Sequence, residues 1–193
     1  MKAKFSVSSG LNGQSGGIEN IHTPLLMLTK VTGLALGPGP DTIDRCLDGR
    51  LSDKMKARDF KGELGETITL KLGEDFAQQN VLLIGIGSAA KFDNRALCRI
   101  VRLAVDRALK LGVKKLSIPI APNRMTQFNL NLRGTAHIIR EIVEQKLSDP
   151  SLPQEGVLEV ELVASPQAKR HLQAGLAIPL RHQSPCCQVG KKK

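Results

Sequence analysis

The sequence predicts an α/β fold in which helices sandwich a mixed β-sheet. Stretches with strand periodicity alternate with stretches of helix periodicity along the 193 residues, which favours this class over all-α or all-β folds. The apolar run at 81–84 is typical of a strand buried on both faces of a sheet. With five Phe and neither Trp nor Tyr, the chain must build its core from aliphatic side chains.

The first part of the chain predicts two strands and one helix. Residues 4–8 alternate as a short strand does, and residues 23–31 are typical of a buried strand. The Gly-Pro-Gly-Pro at 37–40 marks a turn before a helix whose first turn Asp41 caps. Four apolar residues at a spacing of four predict that this single helix has one buried face: Ile43, Leu47, Leu51 and Met55.

The middle of the chain predicts two strands and a long helix. Residues 66–72 alternate with period two, and a second strand runs through 81–87. Residues 94–111 form the clearest helix, with Asp93 at its N-cap and Gly112 after its last turn. One apolar stripe along this helix would face the core: Leu97, Ile100, Val101, Ala104, Val105, Ala108 and Leu111.

The remaining elements continue the alternation. They are a strand at 114–120, a helix at 134–147, a strand at 157–163 and a short helix at 167–175. Periodicity is lost after about residue 177. We therefore expect one domain at 1–176, followed at 177–193 by a basic tail or linker.

Residues 85–90 satisfy the pattern Gly-x-Gly-x-x-Ala of dinucleotide-binding loops, immediately after a predicted strand. Two observations argue against such a site. The predicted helix begins only after Asp93, too late for its N-terminal amides to face a pyrophosphate. The ribose-binding acid is also missing, because Asp106 lies in mid-helix and the next strand ends at 120–123 without an acid. We interpret these glycines as belonging to a tight turn and predict no cofactor.

Positive charge is concentrated in two regions of the chain, whose net charge is +10. Residues 81–120 carry eight Lys or Arg against two acids, and residues 161–193 carry six against one. Such asymmetry indicates either a solvated helix face or a surface that contacts a polyanion through phosphates. The few aromatic residues argue against a base-stacking surface. The candidate polyanion-binding residues are Arg95, Arg99, Arg102, Arg107, Lys110, Lys114 and Lys115.

No pattern in the sequence assembles a metal site or a catalytic group. His137, Glu141 and Glu144 share a predicted helix face, which we expect to be a solvated surface. His182 lies near the adjacent cysteines 186 and 187, and neighbouring cysteines are too constrained to chelate zinc well alone. We therefore predict neither catalytic nor metal-binding residues.

Cysteine spacing and hydropathy bear on the compartment. The four cysteines, at 46, 98, 186 and 187, show no disulfide-framework spacing, which fits a reducing cytoplasm. No apolar run approaches the roughly 20 residues that a membrane helix needs. We expect a cytoplasmic protein that does not associate with membranes.

Two segments in close succession resemble the N-terminal domain of leucyl aminopeptidases. The first, RDFKGELGETITLKL at 58–72, carries an acidic-Phe-x-Gly-x-x-Gly-Glu motif. The second, at 81–120, is an apolar strand that ends in Gly-x-Gly, followed by a loop and a long helix rich in Ala, Leu and Arg. The resemblance extends over residues 1–175.

This resemblance implies a mixed α/β sandwich similar to macro domains. In the family, the metal ions, the catalytic Lys and Arg, and an Asn-Thr-Asp-Ala-Glu-Gly-Arg motif belong to a C-terminal domain. That motif does not occur in this sequence, so no catalytic residue can be transferred to it. Gly85 and Gly87 match the strand-end glycines of the family, which shape a turn.

The resemblance also implies possible roles. In the family this domain helps to arrange a hexamer, and some bacterial members bind DNA. We therefore expect a non-catalytic, stand-alone protein that acts through a protein partner, self-association or non-specific polyanion contacts. One alternative is a macro-like binder of ADP-ribose or a related nucleotide, with Gly85, Gly87 and Ser88 at the ligand. Another is part of an aminopeptidase whose metal-bearing domain is on another chain.

Overall fold

The computed structural model describes residues 1–11, 17–121, 130–152 and 155–180. The strands are β1 (Lys2–Ser8), β2 (Leu26–Val31), β3 (Thr67–Lys71), β4 (Asn80–Gly87), β5 (Lys115–Pro119) and β6 (Val157–Val163). The helices are α1 (Pro38–Cys46), α2 (Arg50–Ala57), α3 (Asn94–Leu111), α4 (Leu132–Leu147) and α5 (Pro166–Leu176). One sheet has the order β1-β6-β5-β2-β4-β3, in which only β3 runs antiparallel to its neighbour. The predicted mixed α/β fold is confirmed.

Helices cover both faces of the sheet. On one face α3, α4 and α5 pack against alternate residues of β2, β4, β5 and β6. On the other face α1 and α2 pack against the intervening residues of β2, β3 and β4. Because β4 lies between these two layers, the whole run from Val81 to Ile84 is completely buried. This two-sided burial explains why the strand is continuously apolar.

The prediction of a single helix after residue 40 is wrong, because the chain forms two helices there. Asp48 and Gly49 have φ angles of 51° and 80°, and these left-handed residues end α1 and begin α2. The carboxylate of Asp44 then accepts hydrogen bonds from the backbone N–H groups of Leu51 at 2.9 Å and Ser52 at 3.0 Å, and from the Ser52 hydroxyl. A residue of α1 thereby satisfies the first turn of α2.

The prediction that Asp41 caps the first helix is also wrong. Gly37 is the N-cap and Pro38 is the first helical residue, where the missing N–H of proline costs no hydrogen bond. Asp41 lies within the first turn and forms an exposed pair with Arg45 at 3.1 Å. Its carboxylate therefore supports the helix through charge instead of capping it.

The long helix matches its prediction. It runs from Asn94 to Leu111, and the Asp93 side chain accepts the N–H of Ala96 at 2.9 Å. Gly112 ends the helix with φ of 67°. Helix α4 begins two residues before the predicted 134, because Asn131 caps it by accepting the N–H of Gly134 at 2.6 Å.

Candidate functional site

The glycine turn after β4 is filled by backbone. A Cβ on Gly85 would lie 2.1 Å from the carbonyl oxygen of Glu63 and 2.5 Å from the carbonyl carbon of Gly62. Gly87 has φ of 73°, and its N–H donates to the Gly62 carbonyl at 3.0 Å. The segment 62–66 therefore lies directly on the glycines that a dinucleotide would have to approach. This arrangement supports the tight-turn interpretation.

The 62–66 segment is fixed by a carboxylate at its own end. Glu66 Oε2 accepts the backbone N–H groups of Lys61, Gly62 and Glu63 at 3.0, 2.7 and 2.8 Å. The N–H of Gly65 donates to the Gly85 carbonyl at 3.0 Å. The Gly-x-x-Gly-Glu part of the motif thus folds one loop and fastens it to β4.

A buried lysine holds the same loop from the other side. Lys30, at the end of β2, is 7% exposed, and its Nζ donates to the carbonyls of Val31, Leu34 and Lys61 at 3.2, 2.9 and 3.3 Å. Nearby, the Thr32 hydroxyl donates to the Gly62 carbonyl at 2.8 Å. Sequence analysis missed Lys30, because its partners are backbone carbonyls that no sequence pattern marks.

An apolar cavity of about 110 Å³ lies at the carboxyl ends of β2, β4 and β5. Thr29, Ile86 and Ala121 line it from these strand ends, and Phe92 and Ile139 line it from the helix side. Ligands of open parallel sheets bind at such strand ends. The described lining contains Ile86 but not Gly85, Gly87 or Ser88. Contact of those three residues with a ligand therefore stays a prediction.

The basic residues of α3 do not form one common surface. Arg102 lies towards α4, where it donates to Gln145 at 2.9 Å, and the neighbouring Asp106 pairs with Lys146 at 2.6 Å. The Arg99 guanidinium lies on the opposite flank, 2.8 Å from the position of a Cβ on Gly65. On that same flank Arg107 lines a recess along β3.

The other predicted basic residues have separate surroundings. Lys115 pairs with Glu161 at 2.9 Å on the open part of the sheet, so its charge is already compensated. Three further residues are solvent-exposed: Arg95, Lys110 and Lys114. Whether any of these residues binds a polyanion stays a prediction.

The recess along β3 brings together cations from α3 and from the C-terminal end of α2. Lys54 of α2, Arg58 directly after that helix and Arg107 of α3 line an open cavity of about 410 Å³ with Glu66 and residues 67–69 of β3. We call Lys54, Arg58 and Arg107 the β3 cations. None of the three makes an ion pair within the described part of the chain. Sequence analysis missed Lys54 and Arg58, which lie far from α3 along the chain.

Sequence comparison identifies the domain. A family model described as the N-terminal domain of the cytosol aminopeptidase family matches residues 27–147. The chain belongs to this family. It is 29% identical over 94 residues to a probable cytosol aminopeptidase of Azotobacter vinelandii, and 26% identical over 96 residues to one of Acidobacterium capsulatum. These matches cover 49% and 50% of the chain but only 19% of each relative.

Solved structures share the fold of this cytosol aminopeptidase N-terminal domain. A mutant of tomato leucine aminopeptidase has a TM-score of 0.65 at 15% identity, covering 91% of this chain and 36% of that one. A Trypanosoma brucei macrodomain in complex with ADP has a TM-score of 0.63 at 14% identity, covering 90% and 68%. These likenesses establish the macro-like fold, as the sequence resemblance implied.

The face of α4 that carries His137, Glu141 and Glu144 differs from the solvated surface that we expected. Glu141 is only 9% exposed, and His137 Nδ1 is buried without a hydrogen-bond partner among the described residues. Glu144 pairs with Arg140 at 2.8 Å. Within the described ranges, no three His, Cys, Asp or Glu side chains are placed to hold a metal ion. His182, Cys186 and Cys187 lie outside those ranges.

One structural observation bears on membrane association. None of the helices that the structure describes combines the length and apolar character needed to cross a bilayer.

Proposed function

We propose that this cytosol aminopeptidase N-terminal domain is a non-catalytic binding domain that recruits an anionic partner in the cytoplasm through the β3 cations. The observation that carries the proposal is the convergence of Lys54, Arg58 and Arg107 on one recess, in which they make no ion pair within the described part of the chain. The recess also contains Glu66, but Oε2 of this residue already accepts three backbone N–H groups. Three cations and one acid line the recess, so its net positive charge attracts an anion.

The family supports the non-catalytic part of the proposal. The matched model describes an N-terminal domain. The resemblance implies that the metal ions and catalytic residues belong to another domain. The net charge of +10 supports an anionic partner, because it accelerates encounters with negative molecules over distances of about 10 Å at 0.1 M salt.

Binding to a short duplex DNA across salt concentrations tests the proposal. Contacts with phosphates release counterions, so log affinity should fall linearly with log salt, with a slope near −0.9 for each phosphate neutralised. A triple variant with Lys54→Ala, Arg58→Ala and Arg107→Ala should bind more weakly and with a flatter slope. An acidic peptide serves as the second ligand, because the proposal does not require a nucleic acid.

A charge-matched control separates this surface from overall charge. The control carries Lys2→Ala, Lys4→Ala and Arg170→Ala, three exposed cations of β1 and α5. This control also loses three positive charges, but at the other edge of the sheet, and it should bind nearly as well as the unmodified protein. Equal loss in both triple variants would contradict a specific role for the β3 cations. Absence of binding to both ligands at about 50 mM salt, where such contacts are strong, would refute the proposal.

The cavity at the strand ends supports a second candidate function, the binding of ADP-ribose or a related nucleotide. It lies where open α/β sheets bind ligands, and one structural neighbour holds ADP. Calorimetry with ADP-ribose tests this candidate. Ala121→Trp should fill the cavity mouth and abolish binding, whereas Ala90→Trp, at an exposed residue outside the cavity, should not. No heat in a titration of the unmodified protein would eliminate it.

A further inference from the structure

We propose that the anionic partner is an acidic peptide segment that adds to the free edge of β3 as a further strand. This inference rests on the proposed function and specifies its partner. Among the described strands, β3 is the last one of the sheet, so one side of its backbone has no neighbouring strand within the described ranges. Such an edge is a template for an extended peptide.

The register identifies which backbone groups are free. Gly85 N–H donates to the Glu66 carbonyl at 2.9 Å, and Leu72 N–H donates to the Gln79 carbonyl at 2.9 Å. In an antiparallel ladder the hydrogen-bonded residues alternate, so Ile68 and Leu70 also direct their backbone groups towards β4. The intervening residues direct theirs outward: Thr67, Thr69 and Lys71. An added strand would pair with these.

The side chains at this edge favour an acidic segment. Ile68 and Leu70 pack in the cluster of α1 and α2, which places Lys54 of α2 and the following Arg58 on that face of β3. The Thr67 and Thr69 side chains lie on the opposite face, where Arg107 of α3 lines the recess. The Thr69 hydroxyl is buried without a hydrogen-bond partner among the described residues.

The cations on both faces of β3 predict which residues the added peptide segment should carry. Side chains of an extended peptide alternate between the two faces of a sheet. Acidic residues at successive positions would thus meet Lys54 and Arg58 on one face and Arg107 on the other. A run of consecutive Asp or Glu fits this edge better than an alternating acidic and apolar sequence. A nucleic acid could use the cations, but it has no peptide groups to pair with Thr67 and Thr69.

Amide hydrogen exchange tests strand addition directly. The probe is an eight-residue peptide of alternating Asp and Glu, titrated into the full chain at about 50 mM salt. The N–H groups of Thr67, Thr69 and Lys71 should exchange fast in the free protein and at least about tenfold more slowly with the peptide bound, because they become hydrogen-bonded. Those of Ile68 and Leu70 are already protected and should change little. Unchanged exchange at the three outward amides in a bound complex would overturn the inference.

Two variations separate backbone pairing from charge. A peptide of the same sequence, N-methylated at every residue, keeps its charge but loses the N–H groups on both edges, and should bind at least about tenfold more weakly. Arg58→Ala combined with Arg107→Ala should weaken the unmodified peptide about three- to tenfold. The matched control is Lys4→Ala combined with Arg170→Ala, which should have little effect.

The outcomes distinguish this inference from the proposed function. If duplex DNA binds through the β3 cations and the peptide does not, the proposed function stands and strand addition is refuted. If both peptides bind equally, charge alone is responsible and the inference is again refuted. Cations also protect exposed edges from pairing between copies of a chain. If Arg58→Ala with Arg107→Ala produces dimers by light scattering without weakening the peptide, edge protection is their role and the inference fails.

Discussion

Gly85 and Glu63 lie so close that no side chain can be added between them: a Cβ on Gly85 would be 2.1 Å from the Glu63 carbonyl oxygen. The neighbouring backbone bonds, Gly65 to Gly85 and Gly87 to Gly62, tie the same two segments together. The two parts of the motif shared with aminopeptidases therefore form one structural unit. The Gly-x-Gly sequence provides a surface on which the Gly-x-x-Gly-Glu loop docks.

Gly85→Ala should destabilise the domain by about 2–3 kcal/mol, because relief of the clash requires the backbone of residues 62–63 to move. Urea unfolding measures this change. The control is Gly33→Ala, where the added Cβ meets nothing within 4 Å and the φ of 75° costs only about 1–2 kcal/mol. An equal loss of unfolding free energy in the two variants would show that the backbone of the 62–66 loop moves away from the added Cβ at little cost.

Glu66→Gln should lower the free energy of unfolding by about 2 kcal/mol, since hydrogen bonds to an ionised acceptor are stronger than those to a neutral amide. Three backbone donors converge on Oε2 of this residue. Glu63→Gln, at an exposed residue of the same loop, is the control and should change stability by less than about 0.5 kcal/mol. A small loss at residue 66 would mean that the three bonds contribute little.

Lys115→Met should raise the pKa of Glu161 and remove a pH-dependent part of the stability. Burial alone would raise the pKa of this carboxyl, but hydrogen bonds from Lys115, Ser117 and Ser8, with the Lys115 charge, lower it below the ordinary value of 4.5. A carboxyl with a lowered folded pKa stabilises the fold above its unfolded pKa and loses that contribution as pH falls through the folded value.

Unfolding experiments on the Lys115→Met variant check the sign. The difference in stability from the unmodified protein should be about 1 kcal/mol at pH 7 and should shrink below pH 4. Lys4→Met is the matched control on β1 and should show no such dependence. A difference that persists unchanged into acid would point to lost packing of the Lys115 stem instead.

Arg102→Ala should destabilise the contact between α3 and α4 by about 1 kcal/mol, because it removes the hydrogen bond to Gln145. Arg95→Ala, one exposed residue near the start of the same helix, should change stability by less than about 0.5 kcal/mol. Thermal unfolding compares the two. Identical melting temperatures would show that Arg102 contributes no more to stability than a residue on a solvated helix face, as the sequence alone suggested.

Local signals predicted the elements that depend on neighbouring residues. Asp93 and Gly112 fixed both ends of α3, since a cap bonds only to its own helix. The break between α1 and α2 was missed because Asp48 adopts a left-handed φ that its sequence does not require. The family resemblance, not periodicity, supplied the macro-like fold.

The candidate site was less predictable than the fold. Its determinants are distant contacts: Lys30 binds a carbonyl of another loop, and the β3 cations come from α3 and from the end of α2, on opposite faces of the sheet. Periodicity reports which side of a helix is apolar, but it cannot tell which neighbour receives each polar residue. Arg102 and Arg107 therefore appeared equivalent in sequence although they face different elements.

The strand order has a consequence for the chain as it leaves the ribosome. Strands β2, β3 and β4 with α1 and α2 come from one continuous segment, residues 26–87, which can begin to pair early. Strand β1 cannot pair at that stage, because its partner is β6, with Lys2 opposite Val157. Such non-local pairing delays closure of this part of the sheet until β6 has been translated.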